Sequence, residues 1–221
     1  MRTRFDSELE TLYVSMIKMG SLSEEALSSI QSALKGGDRK ALESVLQTTH
    51  SIDEKEREIE ALCLRLLLRR QPVAKDLRTI SSAMKMVSDI ERIGDNAGDI
   101  AEILPFITEE ELPGRIGLDT MCGAVIDMVT SAIDAFVHSD AAKASSVIAS
   151  DDIVDKAFVD AKELITGMIR SGDKDAAAAP DLLMIAKYLE RMGDHAASLA
   201  RWVLNSVDAS GDWINNPVKV D

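Results

Sequence analysis

The stretch "DIERIGDNAGDIAE", Asp89 to Glu102, decides how the chain is read. It holds two glycines and five acids, yet Ile90, Ile93, Ala97 and Ile100 recur at the three-four spacing of a helix packed along one stripe. A shift of 99 residues brings Glu91–Ala97, "ERIGDNA", onto Glu190–Ala196, "ERMGDHA". The apolar stripe Ala83, Met86, Ile90, Ile93, Ala97, Ile100, Leu104 then falls on Leu182, Ile185, Leu189, Met192, Ala196, Leu199, Val203. All fourteen positions are apolar, which is the packing seam of a helical bundle written twice.

The duplication extends upstream. A shift of 102 carries "DRKALESVLQTTHSID" onto "DAAKASSVIASDDIVD", with Asp38 on Asp140 and Asp53 on Asp155. Breaks fall at Gly36–Asp38, at Pro72, at Pro105 with Pro113–Gly114, at Ser139–Asp140 and across "SGDKDAAAAPD". Glycine-then-Asp is a helix stop followed by a good N-cap, and Pro72 suits the first turn of a new helix. No run alternates with period two, so strands are not expected. The expectation is an all-α protein of two tandem three-helix bundles. Its six long helices lie near 4–35, 39–70, 73–104, 115–138, 140–171 and 178–207. The first unit is 1–107, the second 113–208, and 209–221 is a C-terminal tail. Each unit has enough aliphatic residues for its own core.

Composition narrows the function. Twenty-five cations against 38 acids leave −13, which gives no basic surface for nucleic acid. The Arg69–Arg70 run is too short to change that, and direct attachment to an anionic membrane is disfavoured on the same ground. Cys63 and Cys122 are isolated in apolar helical segments, a pattern of buried free thiols rather than a metal or disulfide motif. The start "MRTRFDSELE" is polar, and the most apolar run, "ALCLRLLL", is too short to span a bilayer, so a soluble cytoplasmic protein is expected.

The acids beside the seam carry the chemistry. Glu91 and Asp95 are four apart, as are Glu190 and Asp194, so each pair shares a helix face. Like charges at that spacing cost a few tenths of a kcal/mol, and Gly94 and Gly193 each cost about 1 kcal/mol relative to Ala. Both costs occur in both copies. Each pair points away from the seam, and the adjacent glycine allows a close neighbour. Asp151 and Asp155 form a matching pair on the preceding helix. If the two helices touch, four carboxylates converge and repel unless protons or a cation sit among them. An all-oxygen site suits Mg²⁺, Mn²⁺ or Ca²⁺, and bundles also hold iron on carboxylates. The competing reading of these pairs is a solvated acidic face with Arg92 and Arg191 screening it.

With these motifs in order, the chain resembles the PhoU family of phosphate-regulon proteins. The resemblance rests on "LRLLLRRQPVAKDLRTISSAMKMVSDIERIGDNAGDIAE", "SAIDAFVHSDAAKASSVIASDDIVD", "LLMIAKYLERMGDHAASLA" and the opening "FDSELETLYVSMIKMGSLSEEAL", and covers about Phe5 to Val207. It implies a non-enzymatic negative regulator of phosphate uptake and phosphate-starvation signalling. The implied partners are a phosphate ABC transporter and a sensor histidine kinase on the cytoplasmic side, and homodimers are expected. The implied cofactors are divalent or trivalent metal ions such as iron, zinc, manganese or magnesium. Carried over residue by residue, the second unit's site is Asp151, Asp155, Glu190 and Asp194, and the first unit's is Asp53, Glu91 and Asp95.

The first unit departs from the family pattern: Thr49 stands where an acid leads the pair, and Asn96 where the family has His. Weaker metal binding is therefore expected there. His50 reads as a surface residue, His195 as a polar neighbour of the site, and His138 as a partner for a helix C-terminus. Two other classes compete with this one. A di-iron carboxylate enzyme uses Glu-x-x-His pairs, which no His in this chain forms. A histidine phosphotransfer domain would need a basic surround for His50.

Overall fold

The structure, a computed structural model, describes residues 2–208 apart from 38, 71 and 72. Asp38, Pro72 and the segment 209–221, each assigned a part above, lie outside the described residues. Among those residues every regular element is helical: α1 (Arg2–Leu34), α2 (Leu42–Arg70), α3 (Ala74–Ile103), α4 (Leu112–Arg115), α5 (Leu118–His138), α6 (Ala141–Ser171) and α7 (Ala179–Val207). The expected helix over 115–138 is divided. Gly117 adopts φ 85°, a left-handed value that suits glycine, and separates the single turn α4 from α5. The expected stops are chemical. Asp140 caps α6 by accepting from the Lys143 N–H at 3.0 Å. Gly172 closes α6 at φ 64°, with the Asp173 N–H returning to the Met168 carbonyl.

All fourteen seam residues are fully buried. Helices α1, α2 and α3 pack as one bundle and α5, α6 and α7 as another, joined through α3 against α7 and α1 against α5. The two units do not keep separate cores, because their buried residues form one cluster. The physical reason lies in a second buried stripe on α3 and α7. Val87 and Ala101 are buried beside the first seam, and their counterparts 99 residues on, Ala186 and Ala200, are buried too.

Helices α3 and α7 run antiparallel about a pseudo-twofold. The Ser198 hydroxyl on α7 donates to Asp89 on α3 at 2.9 Å. The duplicate positions are Asp99 and Tyr188, and burial and then the Asp99 charge raise the Tyr188 hydroxyl. The α1–α5 crossing is equally close. A Cβ at Gly20 would lie 2.3 Å from Ile133 Cδ1, and one at Gly123 2.6 Å from Gln31 Nε2. Gln31 donates from there to the Asp119 carbonyl at 3.1 Å.

Helix α5 corrects one expectation about apolar runs. Its 21 residues have a window of mean hydropathy 1.5, long and apolar enough for a membrane span by composition. Half of that window is buried inside the bundle, where Met121, Cys122, Val125, Val129, Ala132 and Phe136 face other helices. Both thiols are buried, and burial pushes each up to about 12, which suppresses the thiolate.

Candidate metal centres

Each acidic cluster is built where a bundle's second and third helices touch across a glycine. A Cβ at Gly94 would lie 3.1 Å from Ile52 Cδ1, and one at Gly193 would lie 3.0 Å from Val154 Cγ1. Ile52 and Val154 are themselves related by the 102-residue shift, so the close approach is duplicated along with the acids. Two helical glycines, each locally unfavourable, thus set α2 against α3 and α6 against α7.

In the first unit, Asp53 on α2 and Glu91 and Asp95 on α3 each present a carboxylate oxygen, and these atoms lie within 4.8 Å of one another. Burial, and then Asp95, Glu56 and Asp53, raise the Glu91 carboxyl above the ordinary range, while Arg92 opposes the rise. Arg92 Nε stands 3.7 Å from Glu91. Glu56 is raised as well, by burial, by Glu60 and by Asp53. It is a charged neighbour of the cluster, whose three convergent oxygens are those of Asp53, Glu91 and Asp95. The signal available in the sequence was Asp53-x-x-Glu56, the other helical spacing that shares a face.

In the second unit, Asp151 and Asp155 on α6 lie across from Glu190 and Asp194 on α7, near enough for their charges to act on Asp151 and Asp194. Asp151 is pushed up to about 6 by burial, by Asp194 and by Asp155, with Arg201 opposing. Its Oδ1 is buried without a hydrogen-bond partner, and a Cβ at Gly193 would lie 3.3 Å from that atom. Asp194 is raised by burial, Glu190 and Asp155, against Lys187 and His195. Lys187 Nζ donates to Glu190 at 2.5 Å. Asp194 thus feels Glu190 and Asp155, and Asp151 feels Asp194 and Asp155, but among the described residues only the first unit brings three carboxylate oxygens within 4.8 Å of one another.

The histidines lie outside these clusters. His50 is exposed, with Nε2 3.7 Å from Glu54. His138 Nδ1 sits 2.9 Å from the Asp134 carbonyl in the last turn of α5. His195 turns toward the other unit, its Nδ1 3.0 Å from Asp89. Asp89 also accepts from Ser198 and, at 3.2 Å, from Trp202 Nε1, making it the polar hub of the α3–α7 packing. Nothing in the local sequence pattern marks Asp89 for this role, because its donors lie more than a hundred residues away.

The first unit's three oxygens, within 4.8 Å of one another, have the spacing a hard cation needs, whereas in the second unit the fit rests on the Asp151 oxygen buried without a partner. Both sets are carboxylate oxygens held in mutual repulsion, with protonation favoured at Glu91, Asp151 and Asp194 and one buried oxygen orphaned at Asp151.

Comparison with known proteins converges on one family. The model of the PhoU domain matches the chain twice, at 16–104 and 118–203. A phosphate-specific transport system accessory protein PhoU homolog of Pseudomonas aeruginosa is 36% identical over 204 residues, 91% of this chain and 84% of that protein. A homologue of the same name from Thermotoga maritima is 33% identical over 202 residues, covering 90% and 87%. The crystal structure of PhoU from Pseudomonas aeruginosa superposes with a TM-score of 0.84 at 32% identity, over 92% of this chain and 98% of that one. That of the phosphate transport system regulatory protein PhoU from Streptococcus pneumoniae gives 0.83 at 28% identity, over 91% and 96%.

Proposed function

The chain belongs to the PhoU family, and on that premise we propose that it is a negative regulator of phosphate uptake and phosphate-starvation signalling that works by contact. The carrying observation is likeness over nearly the whole chain to proteins named as accessory to, or regulatory of, phosphate transport. A phosphate ABC transporter and a sensor histidine kinase, met on the cytoplasmic side, are the proposed partners, and a homodimer the proposed assembly.

Metal is the proposed ligand of the acidic clusters. Asp151, Asp155, Glu190 and Asp194 would hold it in the second unit, and Asp53, Glu91 and Asp95 in the first. A bound cation supplies positive charge that replaces repulsion with attraction across each helix pair. The residues then act mechanically. With the charge neutralised, Asp53, Glu91 and Asp95 would hold α2 against α3, and the second unit's acids α6 against α7, while Asp89 ties α3 to α7 through His195, Ser198 and Trp202. The reading is therefore of a regulated surface rather than a catalyst, and the di-iron enzyme loses its place to the family assignment.

The test is binding of the purified chain to the transporter's ATPase subunit and to the kinase's cytoplasmic region, with Mn²⁺ or chelator present. Saturable binding to at least one is expected. Absence of binding to both overturns the regulator-by-contact reading.

A further inference from the structure

Helices α1 and α5 are copies of each other, and they cross at two related glycines. A shift of 103 residues brings "GSLSEEALSSIQSAL", Gly20–Leu34, onto "GAVIDMVTSAIDAFV", Gly123–Val137. At the first crossing a groove of about 220 Å³ opens between the helices, lined by Ile17, Gly20, Ile133 and Val137 together with Glu24 and Thr130. Ile17 remains 44% exposed there, and Val14, one turn earlier on α1, is 45% exposed. The rim is acidic. Asp134 is held by Lys143 and by His138 Nδ1 at 2.9 Å. Glu24 makes no ion pair among the described residues, and the Thr130 hydroxyl donates to it at 3.5 Å.

The other copy of this place is filled. Gln31, the counterpart of Asp134, lies over Gly123, where an added Cβ would meet its Nε2 at 2.6 Å. The turn α4 then covers the end of α1: a Cβ at Gly114 would stand 3.1 Å from the Leu34 carbonyl oxygen and 3.6 Å from Lys35 Cα. Leu34 and Lys35 correspond to Val137 and His138. Ile30 and Leu34 are fully buried, whereas their counterparts Ile133 and Val137 line the open groove. The difference has a backbone cause. Gly117, at φ 85°, separates α4 from α5 and lets it lie against α1. The counterpart of Gly117 is Val14, and α1 runs unbroken through it, so the residues that correspond to α4, 9–12, are themselves part of α1.

We infer that the α1–α5 groove is a docking site for a protein partner, and that it takes a short aliphatic turn ending in an arginine. The filled copy is the template for that occupant, since α4 is Leu112, Pro113, Gly114 and Arg115. Charge points the same way. Glu24 offers a carboxylate without a cation, and the group that matches a carboxylate edge to edge is a guanidinium. Magnitudes decide between a protein and a free amine. An exposed ion pair changes affinity by less than about tenfold, so a small cation alone has too little hold. Aliphatic side chains laid on Ile17, Ile133 and Val137 supply the remainder, and a folded partner presents both together. A second copy of this chain does not qualify, because its own Leu112 and Pro113 are buried. The groove gives the contact reading above one of its surfaces, and rests on that reading for the partner's identity.

The experiment is a titration of the isotope-labelled full chain with an acetylated, amidated peptide LPGRI, the sequence of 112–116. Amide shifts are followed to about 5 mM, a range suited to a short peptide that is ordered on binding. Saturable shifts at Gly20, Ser21, Glu24 and Thr130 are expected. Glu24→Lys should weaken binding about tenfold, and Ser21→Trp, which fills the groove, should abolish it. Asp127→Lys, at the counterpart of Glu24, should leave it unchanged. All three replaced side chains are exposed, and an unchanged helical circular dichroism spectrum confirms folding. Absence of shifts at the groove overturns the inference, as does equal peptide binding by Glu24→Lys. Equal shifts with butylguanidinium at the same concentration make the groove a small-cation site, and the docking assignment falls. Whichever partner the wild type binds should bind Glu24→Lys about tenfold more weakly, and unchanged partner binding overturns the inference too. The peptide arm needs no partner, so failure of the wild type to bind transporter and kinase sinks the regulator reading alone.

Discussion

His195 on α7 lies 3.0 Å from the carboxylate of Asp89 on α3, so a residue next to the second acidic cluster is tied to the other half of the duplication. Ser198 and Trp202 complete the set of donors to the same carboxylate. Replacing Asp89 by Ala leaves three donors at a largely buried interface without their acceptor. A loss of about 2 kcal/mol in unfolding free energy is expected, read from urea unfolding followed by Trp202 fluorescence. Ser198→Ala removes one donor and should cost about 1 kcal/mol. An Asp89→Ala midpoint equal to wild type would show that α3 and α7 hold together on apolar packing alone.

The two cluster glycines should answer differently to the same substitution. Ala gains about 1 kcal/mol over Gly from helix propensity at either site. At Gly94 the obstacle is Ile52 Cδ1, the far end of a flexible side chain, at 3.1 Å, so the gain roughly cancels the contact. At Gly193 the obstacles are Val154 Cγ1 at 3.0 Å and Asp151 Oδ1 at 3.3 Å. A β-branched side chain is stiff at χ1 and yields little. Gly193→Ala should therefore lose about 1–2 kcal/mol net while Gly94→Ala stays within about 0.5 kcal/mol of wild type, both by thermal unfolding. The reverse order would place the tight crossing in the wrong unit.

Asp151 sets a pH dependence with a definite sign. Its folded value near 6 lies above the ordinary carboxylate value, so the folded state binds the proton more tightly than the unfolded chain. Its unfavourable contribution is full above pH 6 and is relieved as pH falls from about 6 toward 4. Glu91 and Asp194 are raised in the same sense. With chelator present, the melting temperature should rise between pH 7.5 and 5.5, and Asp151→Asn should flatten that slope. With a saturating metal ion the carboxylates prefer to be ionised, and the slope should reverse.

Much of the fold was legible because apolar spacing and glycine stops are local signals. The fourteen-residue seam and the caps at Asp140 and Gly172 were read from sequence alone. The second buried stripe was not. Val87, Ala101, Ala186 and Ala200 read as ordinary helix formers until α3 and α7 are seen to pack on each other. The grouping of Asp53, Glu91 and Asp95 was legible, and the surroundings of each carboxylate were not. Spacing places Asp151 with Asp155 and Glu190 with Asp194, whereas Glu56 and the orphaned Asp151 oxygen depend on which neighbour faces them across a gap. Asp89 was hidden for the same reason, since its donors lie more than a hundred residues away in the chain.

Metal should stabilise the chain by mass action. At a free concentration one hundred times its dissociation constant, a cation bound only by the folded state adds about 2.7 kcal/mol, or roughly 5–10 °C for a chain of this size. Adding Mn²⁺ to chelator-stripped protein should produce an upward shift of this order. Asp151→Asn with Glu190→Gln should remove part of it, and Asp53→Asn with Asp95→Asn the remainder. No shift with Mn²⁺, Mg²⁺, Zn²⁺ or iron would leave the clusters as solvated acidic faces.

Glu56 decides whether the first cluster is a reduced copy of the second or a shifted one. Thr49 stands where the second unit has Asp151, which removes one carboxylate. Glu56, three residues on from Asp53, is the carboxylate that could replace it, and its counterpart under the 102-residue shift is Phe158. Burial and the charges of Glu60 and Asp53 raise Glu56, and Glu56 in turn raises Glu91, so its charge is felt in the cluster. A shifted site predicts that Glu56→Gln weakens binding at the first cluster about tenfold or more, while Thr49→Ala has no effect. The measurement is metal titration by calorimetry in an Asp151→Asn, Asp155→Asn background, where only the first cluster remains complete. Equal affinity for Glu56→Gln and its parent would return the site to Asp53, Glu91 and Asp95. In that case the loss of an acid at Thr49 has no compensation, and the second unit should bind more tightly than the first.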